Sequence, residues 1–284
     1  MKKTLQFIAL IILAFGLVAC GTQNTTNTAN TASTSNSTGG SEAPAEAQTG
    51  LDAIKEKGKI VLGTSAEFPP YEWHNIEGGK DEIIGVDIEI GKAIAEHLGV
   101  ELEIKDMSFD GLLAGLNVGE MDMVIAGLAA TEERAKSVDF SQPYYSGKEA
   151  LLVREEDKDK YKTQDDLAGL TIGVQLGTYP ETYANEHFNA DIKALQDNNN
   201  IVMELQNKTF DAVFMDMDVC EKFASLQEGL AVIDIGAEGD EGTSVAVKKG
   251  NTELLKEIDA VVADLKSKDQ VKTWIQEFSD YAGE

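Results

Sequence analysis

The stretch IIGVDIEIGKAIAEHLGVELEI, residues 83–104, decides how the rest of the chain is read. Ile90, Ala93, Ile94 and Leu98 recur at the three-and-four spacing that lines up one face of a helix, which predicts a helix over Asp87 to Leu98. Val100 to Asp106 then alternates apolar and charged residues in the manner of a half-buried strand, and Lys59 to Thr64 reads as a strand upstream. Downstream follow a helix at Asp110 to Asn117, carrying Leu112, Leu113 and Leu116, and a strand at Met121 to Gly127. This βαβ repetition predicts an α/β fold with a mostly parallel sheet covered by helices.

After Tyr144 and Tyr145 the alternation restarts. Strands are expected at Ala150 to Val153, Leu170 to Gln175, Asp191 to Ala194 and Phe210 to Met215, with helices at Glu181 to Phe188 and Asn199 to Gln206. Ser244 to Val247 gives one more strand after the glycines at 236, 239 and 242, and two helices close the chain around Leu254 to Leu265 and Val271 to Tyr281. A second α/β unit follows, which 284 residues with an apolar fraction of 42% can accommodate.

The N-terminus is different in kind. Lys2 and Lys3 precede an apolar run from Leu5 to Ala19, shorter than the roughly 20 residues that cross a bilayer, so 1–19 reads as a secretion signal. Leu17-Val18-Ala19-Cys20, followed by Gly21, resembles the lipobox of bacterial lipoproteins, which implies a lipidated, palmitate-bearing Cys20 and anchorage at the outer face of a cell membrane, with a Gram-positive surface as the expected setting. Small polar residues then make 20–57 a flexible tether. Cys220 is the one cysteine left after Cys20 and reads as a core thiol. A formal charge of -26 repels phosphate, which argues against a nucleic-acid partner. Walker A, G-x-G-x-x-G, H-E-x-x-H, C-x-x-C and G-x-S-x-G patterns are all missing, and neither a metal nor a cofactor is expected.

One local conflict stands out. In VIAGLAATEERAK, residues 124–136, Thr131 reads as a helix N-cap with Glu132 and Glu133 well placed at the positive end. Three residues past the cap, where a capping box calls for Glu or Gln, stands Arg134, a cation at the wrong end of the dipole.

Four segments give that arginine a context: GTSAEFPPYEW (63–73), the stretch at 83–104, MSFDGLLAGLNVGEMDMVIAGLAATEERAKSVDFSQPYY (107–145) and DLAGLTIGVQLGTYPE (166–181). In order and spacing they resemble the family 3 extracellular solute-binding proteins, the polar amino-acid receptors of ABC importers, from residue 58 to the C-terminus. The resemblance implies a two-lobed, type II periplasmic-binding-protein-like fold: lobe one from 58–143 plus 245–284, lobe two from 149–238, and crossover hinges at 144–148 and 239–244. It implies a monomeric receptor, not an enzyme, that binds a free polar or basic amino acid in the interlobe cleft and delivers it to an ABC permease.

Under that resemblance Arg134 would form a fork with the ligand carboxylate, assisted by the helix N-terminus, the Gly177 backbone N–H and the Thr178 hydroxyl. Asp216 and the Gly127 carbonyl would take the ammonium, while Phe68 and Phe109 pack on the ligand side chain. Ala129 stands where the family usually has a hydroxyl, and Asp218 is expected to be solvated. Ser65, Glu67, Gln175 and Met215 are the specificity candidates. Many glutamine and basic-amino-acid receptors carry Asp at the Ser65 position, and glutamine receptors commonly carry His at the Met215 position, so a pure glutamine receptor is disfavoured. Glu67 is either a partner for a guanidinium or ammonium tip or an exposed loop carboxylate. The alternative on this scaffold is a cleft enzyme of the cyclohexadienyl or arogenate dehydratase type, with Glu67 or Glu181 as general acid.

Overall fold

The computed structural model describes residues 50–76, 79–239 and 242–281. The expected signal peptide, Cys20 and the tether up to residue 49 lie outside the described residues, as do Asp240 and Glu241 of the second expected hinge. Gly50–Lys57 forms helix α1, whose Leu51 and Ile54 are buried, so the last eight residues of the expected tether belong to the folded body. These two apolar residues, three apart, give that segment the burial that the small polar residues before it cannot.

The first part of the chain carries β1 (Lys59–Thr64), β2 (Glu67–Phe68), β3 (Glu72–Asn75), β4 (Glu82–Ile84), α2 (Val86–Leu98), β5 (Glu101–Asp106), α3 (Leu112–Val118), β6 (Met123–Val124) and β7 (Val138–Phe140). The second carries β8 (Glu149–Arg154), β9 (Thr171–Gln175), α4 (Tyr179–His187), β10 (Asp191–Leu195), α5 (Asn198–Gln206), β11 (Ala212–Asp216), α6 (Met217–Leu226) and β12 (Leu230–Ile233). The chain then ends with β13 (Ala246–Lys248), α7 (Thr252–Ser267) and α8 (Gln270–Asp280).

Two five-stranded sheets result, ordered β5-β1-β6-β13-β7 and β10-β9-β11-β8-β12, with a small sheet β2-β3-β4 beside them. In the first, β1 pairs in parallel with β5 and β6, while β13 runs antiparallel to β6 and β7. In the second, β9 pairs in parallel with β10 and β11, and β8 runs antiparallel to β11 and β12. Each sheet is therefore mixed rather than mostly parallel. The antiparallel strands β13 and β8 are those that enter their sheet from the opposite lobe and not through a crossover helix.

Helix α2 places Asp87, Ile90, Ile94 and Leu98 inside and ends at Gly99, whose φ of 70 lets its N–H reach back to the Ala95 and Glu96 carbonyls. The segment after Thr131 departs from expectation: it is a single 3-10 turn, Arg134–Lys136, and not a helix with a dipole at its start. Thr131 Oγ1 does accept the Arg134 N–H at 3.3 Å, but Ser137 Oγ donates to the Arg134 carbonyl at 3.0 Å and β7 begins at Val138. The two connections between the lobes pair with each other: Tyr144 N donates to Thr243 O and Thr243 N to Tyr145 O, both at 2.9 Å.

Candidate functional site

The lobes meet around a cavity lined from both sides. The first lobe lines it with Ser65, Phe68, Glu72, Phe109, Gly127 and Arg134, and the second with Gln175, Thr178, Asn198, Met215 and Asp216, among others. Of the residues expected there, Gly177 and Glu67 are not on the lining.

Arg134 is half-buried, and its 3-10 turn aims the guanidinium across the cleft. Nη1 donates to Ala129 O at 2.7 Å, Nη2 donates to Gly177 O of the opposite lobe at 2.8 Å, and the group lies 5.4 Å from the centre of the Phe109 ring. Two backbone carbonyls and an aromatic face hold the fork in place, which is the preorganisation that recognition of a carboxylate needs. Asp216, of opposite charge, closes β11 on the far wall and starts α6 without accepting a side-chain cap bond from that helix. Gly127 lines the same cavity with φ +55 and donates its N–H to Asp87 Oδ2 at 2.7 Å.

Two expected contributions to the carboxylate are committed elsewhere. The Gly177 N–H goes to Glu181 Oε2 at 2.6 Å, and only its carbonyl faces Arg134. The Thr178 hydroxyl donates to Gln175 O at 2.7 Å and accepts the Glu181 N–H at 3.2 Å, because Thr178 is the N-cap of α4. Asp218, expected in solvent, is half-buried and accepts the Tyr71 hydroxyl of the first lobe at 2.9 Å. Phe68 stacks on Tyr71 with centroids 5.7 Å apart and turns its ring to the cavity.

Glu67 lies at the seam of the lobes, where Gln175 Nε2 donates to its Oε1 at 2.8 Å. Burial first, then the nearby Asp197 carboxylate, push its pKa up to about 9. Cys220 is a buried core thiol, raised well above its ordinary value by burial. Ser65 and Met215 are 3% exposed and line the cavity.

Three further residues were not singled out by sequence. Asp87 is fully buried on α2 and accepts both the Gly127 N–H and the Tyr144 hydroxyl, the latter at 2.9 Å, tying the cavity wall to the crossover. Glu72, on β3, and Asn198, the first residue of α5, are each 1% exposed and line the cavity from opposite lobes. The Glu72 carboxyl hydrogen-bonds to the buried Asp87 carboxyl, while the Asn198 side-chain amide has no hydrogen-bond partner among the described residues. Burial and then the adjacent Asp87 hold the Glu72 carboxyl well above the usual carboxylate range. The signal for Asp87 was present, since 87, 90, 94 and 98 share one helix face. Glu72 and Asn198 carried none, since a Glu among aromatics and an Asn in an Asn run both read as surface.

A two-lobed α/β body with oppositely charged groups converging from both lobes on one cavity defines a cleft-type binding protein. The chain belongs to the bacterial extracellular solute-binding proteins, family 3, whose pattern matches residues 60–280. It is 30% identical over 278 residues to the arginine-binding extracellular protein ArtP of Bacillus subtilis (strain 168), covering 96% of each chain. Among solved structures it is similar to an amino acid ABC transporter substrate-binding protein from Streptococcus pneumoniae Canada MDR_19A bound to L-arginine, with TM-score 0.80 and 36% identity over 84% of this chain and 100% of that one. It is also similar to an ancestral amino acid-binding protein, AncCDT-1, a precursor of cyclohexadienyl dehydratase, with TM-score 0.74 and 30% identity over 81% of this chain and 99% of that one.

Proposed function

We propose that the chain is the extracytoplasmic receptor of an ABC importer, which binds a free polar or basic amino acid, L-arginine foremost, between its lobes and delivers it to a membrane permease. The observation that carries the reading is the pairing of Arg134 and Asp216 on one cavity, contributed by opposite lobes. An α-amino acid offers a carboxylate and an ammonium at fixed separation, and burying both requires a partner for each. Arg134 takes the carboxylate; Asp216, with the Gly127 carbonyl, takes the ammonium; Phe68 and Phe109 flank the side chain. Because the anchors belong to different lobes, ligand bound to both favours the closed arrangement. The arginine-bound and arginine-binding relatives support the choice of ligand. Anchorage through a lipidated Cys20 and the tether keeps the receptor, a monomer, near its permease.

The dehydratase alternative finds little support in the cavity. Glu181 is turned onto the Gly177 N–H, and neither it nor Glu67 is on the lining. Calorimetric titration with the common amino acids and cystine tests the reading: binding of at least one basic amino acid is expected. No heat with any of them, or consumption of prephenate or arogenate, would refute it.

A further inference from the structure

Direct bonds join the lobes along a seam beside the ligand cavity, and one of them needs a proton. Gln175 Nε2 of the second lobe donates to Glu67 Oε1 of the first at 2.8 Å, and Gln196 Nε2 of the second donates to Asp110 Oδ2 of the first at 3.1 Å. Glu67 also accepts the Asn198 backbone N–H and hydrogen-bonds to the Asp197 side chain, both at the start of α5. Two ionised carboxylates hold only acceptors. The bond between Glu67 and Asp197 therefore exists only while one of them carries a hydrogen.

The surroundings assign that hydrogen to Glu67. Asp197 is the N-cap of α5, where its Oδ1 accepts the Asn200 N–H at 2.7 Å and the helix end favours a negative charge. The titratable groups facing Glu67 are carboxyls: Asp197 before α5, Asp106 at the end of β5 and Glu72 on β3. His74, also on β3, shares the outer groove with Glu67 but bonds to Asp81 and Asp106 of its own lobe. Burial first, then Asp197, accordingly push Glu67 up to about 9. Gln175, Asp197 and the Asn198 N–H all belong to the second lobe, so opening the cleft strips them away and returns the carboxyl to water and to an ordinary value near 4.5. Between those two values, closure takes up a proton.

We propose that the lobes close over their ligand by trapping a proton between Glu67 of the first lobe and Asp197 of the second, so that the receptor holds its amino acid tightly in an acidic medium and releases it more readily as the pH rises. This rests on the proposed amino-acid function, in which binding closes the lobes, and adds a control on it. Glu67 is off the cavity lining and acts on closure, while Arg134 and Asp216 remain the anchors. One proton taken up on closure lowers affinity by up to about tenfold for each pH unit gained.

The test titrates L-arginine, or the other common amino acids should arginine give no heat, into wild type, Glu67→Gln and Asp197→Asn at about pH 6, 7 and 8, in two buffers of different ionisation heat. Reading each variant against wild type cancels the ionisation of the ligand, of His74 and of the Glu72–Asp87 pair. In Glu67→Gln the amide donates to Asp197 and accepts from Gln175 with no proton to lose; Asp197→Asn keeps the cap and offers a donor to an ionised Glu67. From pH 6 to pH 8 wild type is expected to lose about tenfold or more in affinity relative to Glu67→Gln, and at pH 7 to take up about one proton more per ligand bound. Asp197→Asn should flatten the profile likewise. Thermal unfolding checks that each variant folds; should one fail to, the other decides alone. A pH profile parallel to wild type in a folded variant, or equal proton uptake by wild type and Glu67→Gln, overturns the inference and leaves the receptor reading standing. Binding of no amino acid by any of the three at any pH sinks the receptor reading and this inference with it.

Discussion

Replacing Gly127 by Ala puts a methyl group at the centre of the proposed site, and its cost can be worked from the backbone. Gly127 has φ +55, the left-handed region, which costs a residue with a Cβ about 1–2 kcal/mol. The new Cβ would also stand 2.8 Å from Phe68 Cε1 and 3.1 Å from Cδ1, closer than carbon atoms pack, so the ring must shift. Phe68 is itself stacked on the buried Tyr71, and such overpacking costs about 1–3 kcal/mol more. The sum, about 2–5 kcal/mol, is a large part of the stability of an ordinary domain. Denaturant titration should show the midpoint falling with the slope unchanged, and arginine affinity should fall with it because the displaced ring borders the cavity. A loss below about 1 kcal/mol would refute the reasoning, by showing that φ and the Phe68 contact relax freely.

Other contacts across the seam make further tests. Tyr71→Phe removes the 2.9 Å bond to Asp218, which joins the lobes, so it should weaken ligand binding by about tenfold or more while leaving most of the stability intact; unchanged affinity would show that the bond does not help closure. Glu67 has its folded pKa raised to about 9 from an ordinary 4.5, so the stability its proton confers is full below about pH 4.5 and is lost as pH rises toward 9. Wild-type melting temperature should therefore fall between about pH 5 and pH 9, more steeply than in Glu67→Gln; parallel profiles would contradict this. Lys222, buried on α6, donates to Ser279 O at 2.9 Å and to Tyr281 O at the end of α8. Lys222→Met should cost about 1–3 kcal/mol in denaturant titration, and a neutral result would remove its role in docking the C-terminal helix.

The sequence made legible what periodicity can carry. The apolar stripe of α2 and the alternation of β5 appear where expected, because each turns one face to its own lobe, and β9 forms where expected as a strand buried along nearly its whole length. The small sheet β2-β3-β4 was not foreseen: its strands are two to four residues long, too short for a period to register, and Pro69 and Pro70 interrupt them. The turn at Arg134 was misread as a helix because local cap rules do not see that β7 follows immediately. The resemblance directed attention to Arg134, Asp216, Phe68 and Phe109, all of which line the cavity. The Gly177 N–H and Thr178 hydroxyl serve the start of α4 in this structure, a competition visible only once Glu181 is placed. Glu72 and Asn198 emerge only from tertiary burial, which no local pattern encodes.

The account turns on two ionic anchors, and a crystal structure of the chain with L-arginine tests them most directly. The ligand carboxylate should lie within hydrogen-bond distance of the Arg134 guanidinium, and the α-ammonium against Asp216 and the Gly127 carbonyl. A complex in which arginine occupies another surface, with Arg134 and Asp216 both turned to solvent, would contradict it.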